Sequence, residues 1–303
     1  MRYSFKWRLI NRCNFKCSYC VNRSVVTLYE SEEQEYARLL DQAAKISKLI
    51  SGLSDEYDNA SLLLIGGEIT LIPVDKMKNI IDTLYTEKLK AIHLTSNFSA
   101  PLSWYTDIKT FCNSKGMRFT VVASYHEEMS DFTKFFNKAA TLSEEFNKDQ
   151  QNFAVEFVVT KANCEKLGSK VNNFVTSHKI PCLFDYNRFE SWTEKERIYK
   201  SNKSLTSSQR TVKCNTEDTF GYTCSNNIYQ TTIRPDGKLY GTSCSGSKPY
   251  GVLGFTKVIN TKEKLCHLHK CSCCGRIRVL RPDQSVFYDV INLDEITQES
   301  ASD

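Results

Sequence analysis

Short apolar runs alternate with amphipathic stretches along the first 190 or so residues, and no other feature limits the fold so strongly. Residues 3–10 read as a strand, as do "SLLLIGGE" (61–68), "AIHLTSN" (91–97), "RFTVVASY" (118–125), "FAVEFVVT" (153–160) and "IPCLFDY" (180–186). A continuous apolar run suits a strand buried on both faces of a parallel sheet. Between the runs lie helical patterns. "SEEQ" at 31–34 has the form of a capping box, ahead of Leu39, Ala43, Ile46 and Ile50 on one face. Pro73 and Pro101 stand at helix starts and Gly116 at a helix stop. Phe132, Phe135, Phe136 and Ala139 mark a helix within 130–147, and a further helix is expected over 163–177. Strand–helix alternation implies an α/β fold with a parallel sheet and right-handed crossovers. Reactive groups in such sheets gather at the C-terminal strand ends. Cys13, Gly66, Gly67, Glu68, Ser96 and Ser124 all fall there.

The organisation changes after this region. Residues 191–211 read as a linker, ending in the polar run "SNKSLTSSQR" (201–210). A smaller module is expected at 212–290, because seven of the 13 cysteines crowd into it. "DEITQESASD", within a tail at 291–303, reads as a solvated terminus. Composition is that of an ordinary globular chain, with 41% hydrophobic and 25% charged residues. No apolar run approaches the roughly 18 residues that a membrane-spanning helix needs, so no membrane partner is expected. The net charge of +5 is mild and its lysines are scattered, so nucleic acid is not an expected partner. "MRYSFKWRLI" is too polar for a secretory signal's apolar core. With so many cysteines and no such signal, metal ligation in a reducing cytoplasm is the expected use of the thiols.

"RCNFKCSYC" (12–20) is the densest chemical signal. Cys13, Cys17 and Cys20 stand close together, and the next cysteine is Cys112. A structural zinc site takes four protein ligands, and a disulfide framework takes paired cysteines in a small secreted chain. Neither suits three. A four-iron cube normally takes four thiolates; three leave one iron open to a ligand from outside the protein.

The run resembles the CxxxCxΦC motif of radical S-adenosylmethionine (SAM) enzymes, with Tyr19 as the aromatic Φ. The resemblance implies a partial (β/α)6 barrel over residues 1–190. It also implies a 4Fe-4S cluster on Cys13, Cys17 and Cys20, whose open iron chelates the amino and carboxylate groups of SAM. An electron from the cluster then cleaves the sulfonium to give a 5′-deoxyadenosyl radical. "GGEIT" (66–70) resembles the family's GGE motif. By that likeness Glu68 accepts a hydrogen bond from the SAM amino group, and Gly66 and Gly67 permit close backbone approach. The usual following proline is Ile69 here. Ser96, Asn97 and Ser124 occupy positions where the family places small polar residues against the methionyl carboxylate and the ribose. An ordinary capping or turn role is the alternative for each. Tyr19 is expected near the adenine. His126 reads as a turn residue, and Arg12 and Lys16 as cations offsetting the cluster's charge.

The later stretch "CSNNIYQTTIRPDGKLYGTSC" (224–244) reads as a hairpin turning at Asp236-Gly237. It resembles the SPASM or twitch extension of some radical SAM enzymes, which implies a small cysteine-rich module with an auxiliary 4Fe-4S cluster. The favoured ligands are Cys224, Cys244, Cys271 and Cys274, with Cys266 and Cys273 as alternates; zinc on the same thiolates is the competing reading. The late cysteines are compressed and none follows Cys274, a departure from the full SPASM pattern. Cys112 and Cys182 read as small core hydrophobes. Cys214 is either a buried inert thiol or a hydrogen-atom donor to a substrate radical.

Together these likenesses imply an enzyme that cleaves SAM reductively and takes a hydrogen atom from a C–H bond. The extension's commonest hosts modify peptides, so a peptide is the expected substrate. A sugar or aminocyclitol dehydrogenase or epimerase is the alternative. An RNA-modifying enzyme or a non-catalytic metal-binding regulator ranks lower. The barrel begins at once, which weighs against a self-contained leader-peptide maturase, although a separate partner could supply that recognition. An external donor such as flavodoxin or ferredoxin is expected to deliver the electron.

Overall fold

The computed structural model describes residues 2–20, 30–148, 153–163, 167, 180–186, 211–212, 223–224, 230–240, 249–255, 264–265 and 279–280. Six strands run parallel and neighbour one another in chain order: β1 (Arg2–Arg8), β2 (Asn59–Ile65), β3 (Leu89–Ser96), β4 (Arg118–Tyr125), β5 (Phe153–Val159) and β6 (Cys182–Tyr186). Helices α1 (Glu32–Ser51), α2 (Val74–Leu84), α3 (Leu102–Ser114) and α4 (Phe132–Lys148) follow the first four strands in turn. The alternation legible in the sequence is therefore a parallel sheet of βα units. The helix expected over 163–177 lies outside the described residues except at Asn163 and Leu167.

Local chemistry explains the boundaries. Ser31 caps α1: its hydroxyl accepts from the Gln34 N–H while the Gln34 side chain accepts from the Ser31 N–H, a complete capping box. Pro73 and Pro101 occupy the N-cap positions of α2 and α3. Beyond α3, Gly116 takes φ 69°, a left-handed conformation that glycine adopts without Cβ strain.

The strand period of two sorts the side chains. Tyr3, Phe5 and Trp7 of β1, Leu62 and Leu64 of β2, Ile92 and Leu94 of β3, Phe119, Val121, Ala123 and Tyr125 of β4, and Phe153, Val155 and Phe157 of β5 share one core with the helices. That core takes in Leu39, Ala43 and Ile46 of α1, Met77 and Ile81 of α2, Ile108 of α3 and Phe135 and Phe136 of α4. The alternate positions carry Ser4, Lys6, Arg8, Ser61, His93, Thr120, Ser124 and Glu156 among apolar residues such as Leu63, Val122 and Val158, so the opposite face of the sheet is mixed.

Short strands extend the sheet at both edges. β7 (Thr211–Val212) pairs with β6. Between it and the next sheet strand comes β8 (Thr223–Cys224), treated below. β9 (Gln230–Ile233) and β10 (Lys238–Tyr240) form the hairpin expected around Asp236-Gly237, with Gly237 at φ 75°. β9 lies parallel to β1, pairing Phe5 with Thr231 and Trp7 with Ile233, and β11 (Gly251–Val252) pairs with β10. The hairpin thus continues the barrel sheet; Tyr3 Oη meets Thr231 Oγ1 at 2.9 Å, and Gln42 of α1 donates to the Pro235 carbonyl at 2.7 Å. A separate antiparallel sheet places β8 between β12 (Lys264–Leu265) and β13 (Val279–Leu280). Among the described residues no helix is long and apolar enough to cross a membrane.

Candidate functional site

The loop of Cys13, Cys17 and Cys20 leaves the C-terminal end of β1 and is gripped by the loops that end β2, β3 and β4. The β2 grip comes first. Past the strands, the ladder continues: Gly67 N–H donates to the Ile10 carbonyl at 2.7 Å and Glu68 N–H to the Arg12 carbonyl at 2.9 Å. A Cβ on Gly66 would lie 2.3 Å from the Ile10 oxygen, and one on Gly67 2.0 Å from the Arg12 oxygen. The close approach that these glycines permit is therefore to the start of the cysteine loop itself.

The β3 grip runs through Asn97. Its Nδ2 donates to Asn14 Oδ1 at 2.9 Å and approaches Cys13 Sγ at 3.7 Å, and Asn14 Nδ2 donates to Ser99 Oγ at 3.0 Å. The β4 grip uses two residues in the loop beyond Tyr125. His126 Nδ1 meets Tyr19 Oη at 3.0 Å, with the two rings stacked 5.9 Å apart. Glu128 accepts from Ser18 N–H at 2.7 Å.

Glu68 is fully buried and sits at the centre of a donor array. Its Oε1 accepts from Thr70 N–H at 3.1 Å, Thr70 Oγ1 at 2.6 Å and Ser96 Oγ at 2.8 Å. Oε2 accepts from Asn97 N–H at 2.6 Å. A carboxylate has about four acceptor positions; Oε1 is saturated, and Oε2 keeps one. Ser96 is locked in turn by Tyr105 Oη at 3.0 Å and by the Phe98 N–H at 2.9 Å. Ser96 therefore orients Glu68. Ile69, where the family motif has proline, begins a one-turn 3-10 helix (Ile69–Leu71) that Glu68 caps, and it is buried in the core.

Ser124 lies on the opposite face of the sheet from Ser96, hydrogen-bonded to Glu156 of β5 at 2.8 Å. Tyr19 borders Cys17 and His126. Burial pushes the His126 imidazole down to about 4, so at neutral pH the ring is uncharged, and its tautomer sets which way the hydrogen bond with the Tyr19 hydroxyl runs. Arg12 is committed to Glu35 of α1, with Nε 3.0 Å from Oε1, which anchors the loop to the helix layer. Sequence reasoning singled out the cysteines, the glycines, Glu68, Ser96, Asn97 and Ser124; the structure brings Ser96 and Asn97 onto Glu68 and sets Ser124 apart on Glu156. It missed the parts played by Asn14, Phe98, Tyr105 and Glu128, which form no local motif; nor did it single out Lys138 of α4, whose ammonium donates to the Phe98 carbonyl at 2.7 Å.

Cys13, Cys17 and Cys20 are free thiols. Burial pushes Cys17 up to about 11, and Cys13 is also raised by burial; Cys17 feels the charges of Cys20 and Cys13, and Cys13 those of Glu68 and Cys20. The three thiols thus share one electrostatic neighbourhood. Among the described residues no three His, Cys, Asp or Glu side chains close round a single metal ion. A four-iron cube asks for a wider spread, since each thiolate takes its own iron. Three soft ligands from one irregular loop fit that group. Cys112 is buried, as expected of a core thiol. Of the expected auxiliary ligands, Cys224 has its backbone in β8. Cys244, Cys266, Cys271, Cys273 and Cys274, and also Cys214, lie outside the described residues.

No protein-family model matches the chain, and no curated protein does. Solved structures do. An anSMEcpe structure with bound AdoMet aligns at 16% identity over 85% of this chain and 79% of that one, with a TM-score of 0.55. The chain shares that structure's fold. A second anSMEcpe structure, with bound AdoMet and Cp18Cys peptide, gives 16% identity, the same coverage and a TM-score of 0.53. Streptococcus suis SuiB bound to precursor peptide SuiA gives 14% identity over 82% of this chain and a TM-score of 0.51. The chain spans 62% of SuiB's length. In this fold the cysteine loop and Glu68 stand at the C-terminal rim of the parallel strands.

Proposed function

We propose that this chain is a radical SAM enzyme that takes a hydrogen atom from a C–H bond of a peptide. The observation that carries the reading is the bridge between Glu68 and Cys13. Asn97 donates its backbone N–H to the Glu68 carboxylate and directs its side-chain amide at the Cys13 sulfur. One residue therefore joins a buried acceptor of positive charge to a soft metal ligand, and SAM has to be held at both such points, by its amino group and by iron.

Cys13, Cys17 and Cys20 would hold a 4Fe-4S cluster with one open iron, which supplies the electron that splits SAM into methionine and a hydrogen-abstracting 5′-deoxyadenosyl radical. The chain's own residues supply binding and alignment. Glu68 Oε2 has the acceptor capacity for one ammonium donor. Ser96, Thr70 and the Asn97 N–H hold that carboxylate in place, so little reorganisation is needed when the donor arrives. The Asn97 amide and the Phe15 N–H, 3.3 Å from Cys13 Sγ, donate to the sulfur and help set the potential of whatever it ligates. Ser124 and Tyr19 would lie along the ribose and adenine.

The peptide substrate draws support from two similar structures, one with a bound Cp18Cys peptide and one bound to the precursor peptide SuiA. An auxiliary cluster on Cys224, Cys244, Cys271 and Cys274 and a flavodoxin- or ferredoxin-type donor complete the proposal. The site itself is tested by electron paramagnetic resonance after anaerobic iron–sulfur reconstitution. The reduced protein should show a four-iron signal that changes shape when SAM is added, and that signal should vanish when Cys13, Cys17 and Cys20 are all changed to Ala. A spectrum indifferent to SAM would refute the site.

A further inference from the structure

Ser18 lies between Cys17 and Cys20, and both of its donors go to one carboxylate. Its N–H reaches Glu128 Oε2 at 2.7 Å and its Oγ reaches Oε1 at 2.5 Å. Glu128 stands in a built turn: the Met129 and Ser130 N–H groups both donate to the His126 carbonyl at 2.9 Å. The same turn presents His126 to Tyr19. Two consecutive residues of the cysteine loop are thus held by one short segment beyond β4. A neutral side chain would suffice for a purely mechanical latch, yet the latch is an anion next to thiols that must become thiolates.

We propose that Glu128 is a positioning residue that fixes the Ser18–Tyr19 segment and, through its negative charge, lowers the reduction potential of the cluster held by Cys13, Cys17 and Cys20. The inference rests on the radical SAM reading. Its physics is Coulombic. Adding one electron to a cluster already ligated by thiolates is harder beside another negative charge. A lower potential means a stronger reductant, which suits the breaking of a sulfonium bond. Glu128 and Ser18 are both exposed, so solvent and salt weaken the effect.

Glu128→Gln separates charge from geometry. The glutamine oxygen still accepts the Ser18 N–H, and its amide N–H can donate to the Ser18 hydroxyl. The experiment is a potentiometric titration of the reconstituted cluster, monitored by electron paramagnetic resonance, in the parent, in Glu128→Gln and in Ser18→Ala. Glu128→Gln should load iron like the parent and show a midpoint potential shifted to more positive values. Ser18→Ala keeps the charge, so it should lose iron faster to a chelator but keep the parent potential. If the Gln variant does not load, Glu128→Ala serves, with the same expected direction. A parent-like potential in the charge-free variant overturns the proposal, as does an equal shift in Ser18→Ala. A parent protein that binds no iron at Cys13, Cys17 and Cys20 would instead overturn the radical SAM reading beneath it.

Discussion

The Lys138 ammonium of α4 donates to the Phe98 carbonyl at 2.7 Å and lies 4.3 Å from the centre of the same residue's ring. It also donates to the Ala100 carbonyl. Among the described residues Phe98 alone is a non-glycine with positive φ, at 62°. A bulky residue in that conformation costs about 1–3 kcal/mol and persists only where its surroundings over-determine it. Here they do: the Phe98 ring packs on Tyr105, Phe135 and Phe153, and its N–H is held by Ser96. The turn that results aims the Asn97 N–H at Glu68 and the Asn97 amide at Cys13. Lys138 thereby supports the site without touching it.

Lys138→Met should release that turn. Two part-buried carbonyls lose a charged donor, at about 1–3 kcal/mol of stability, and SAM affinity should fall with it. Thermal melts and SAM-binding titrations check both effects; a variant as stable as the parent would show that the turn holds itself.

Burial lowers the Lys138 pKa to about 8, opposed by the charge of Glu68. In the unfolded chain the group titrates at its ordinary, higher value, so between the two values the unfolded state binds more protons. Its contribution to stability therefore rises as pH climbs from about 8 toward that ordinary value. Melts of the parent and of Lys138→Met from neutral to alkaline pH should show the parent gaining on the variant across that window. A constant gap would contradict the assignment.

Glu68→Gln is the cleaner probe of SAM binding than Glu68→Ala, which would orphan the donors of Thr70, Ser96 and Asn97 as well. Loss of a charged hydrogen bond to an ammonium costs about 1–3 kcal/mol, so SAM should bind about tenfold or more weakly. Ser96→Ala should act in the same direction through the freed carboxylate. Calorimetric titration with SAM measures both, and unchanged affinity in Glu68→Gln would remove Glu68 from the SAM site.

Gly67→Ala should damage the cysteine loop, although Gly67 bears no ligand. Its new Cβ would lie 2.0 Å from the Arg12 oxygen and 2.7 Å from the Asn11 oxygen, both backbone atoms that must move. Iron bound per chain after reconstitution should drop sharply, and parent-like loading would mean that the loop tolerates the shift.

These sites differ in how far the sequence disclosed them. β4 spans the eight residues expected of it, because its apolar run is bounded by Gly116 and a polar turn. The capping box of α1 and the Asp236-Gly237 turn were legible for the same reason: each is local chemistry. The partner of the hairpin was not, since the pattern of 230–240 reads as paired strands without saying that β1 lies beside them. Periodicity also assigns Ser96 to the face of Ile92 and Leu94 and Ser124 to the other, which separates two residues grouped on sequence as neighbours in one pocket. Glu128 and Lys138 look like ordinary surface charges in the chain. Only the fold sets them against Ser18 and Phe98.

The proposed auxiliary centre has its own count. With two four-iron clusters the reconstituted chain should hold about eight irons, falling to about four when Cys224 and Cys244 are both changed. About four irons and one zinc in the parent would favour the zinc reading.

The central claim is reductive cleavage of SAM at the Cys13–Cys17–Cys20 loop. Its most direct test is chromatographic measurement of 5′-deoxyadenosine after anaerobic incubation of the reconstituted protein with SAM and a strong reductant. The parent should form it, and the variant with all three cysteines changed to Ala should form none while keeping the iron of its auxiliary site. Equal 5′-deoxyadenosine in the two, or none in a parent whose cluster is shown to be loaded and reduced, would contradict the account.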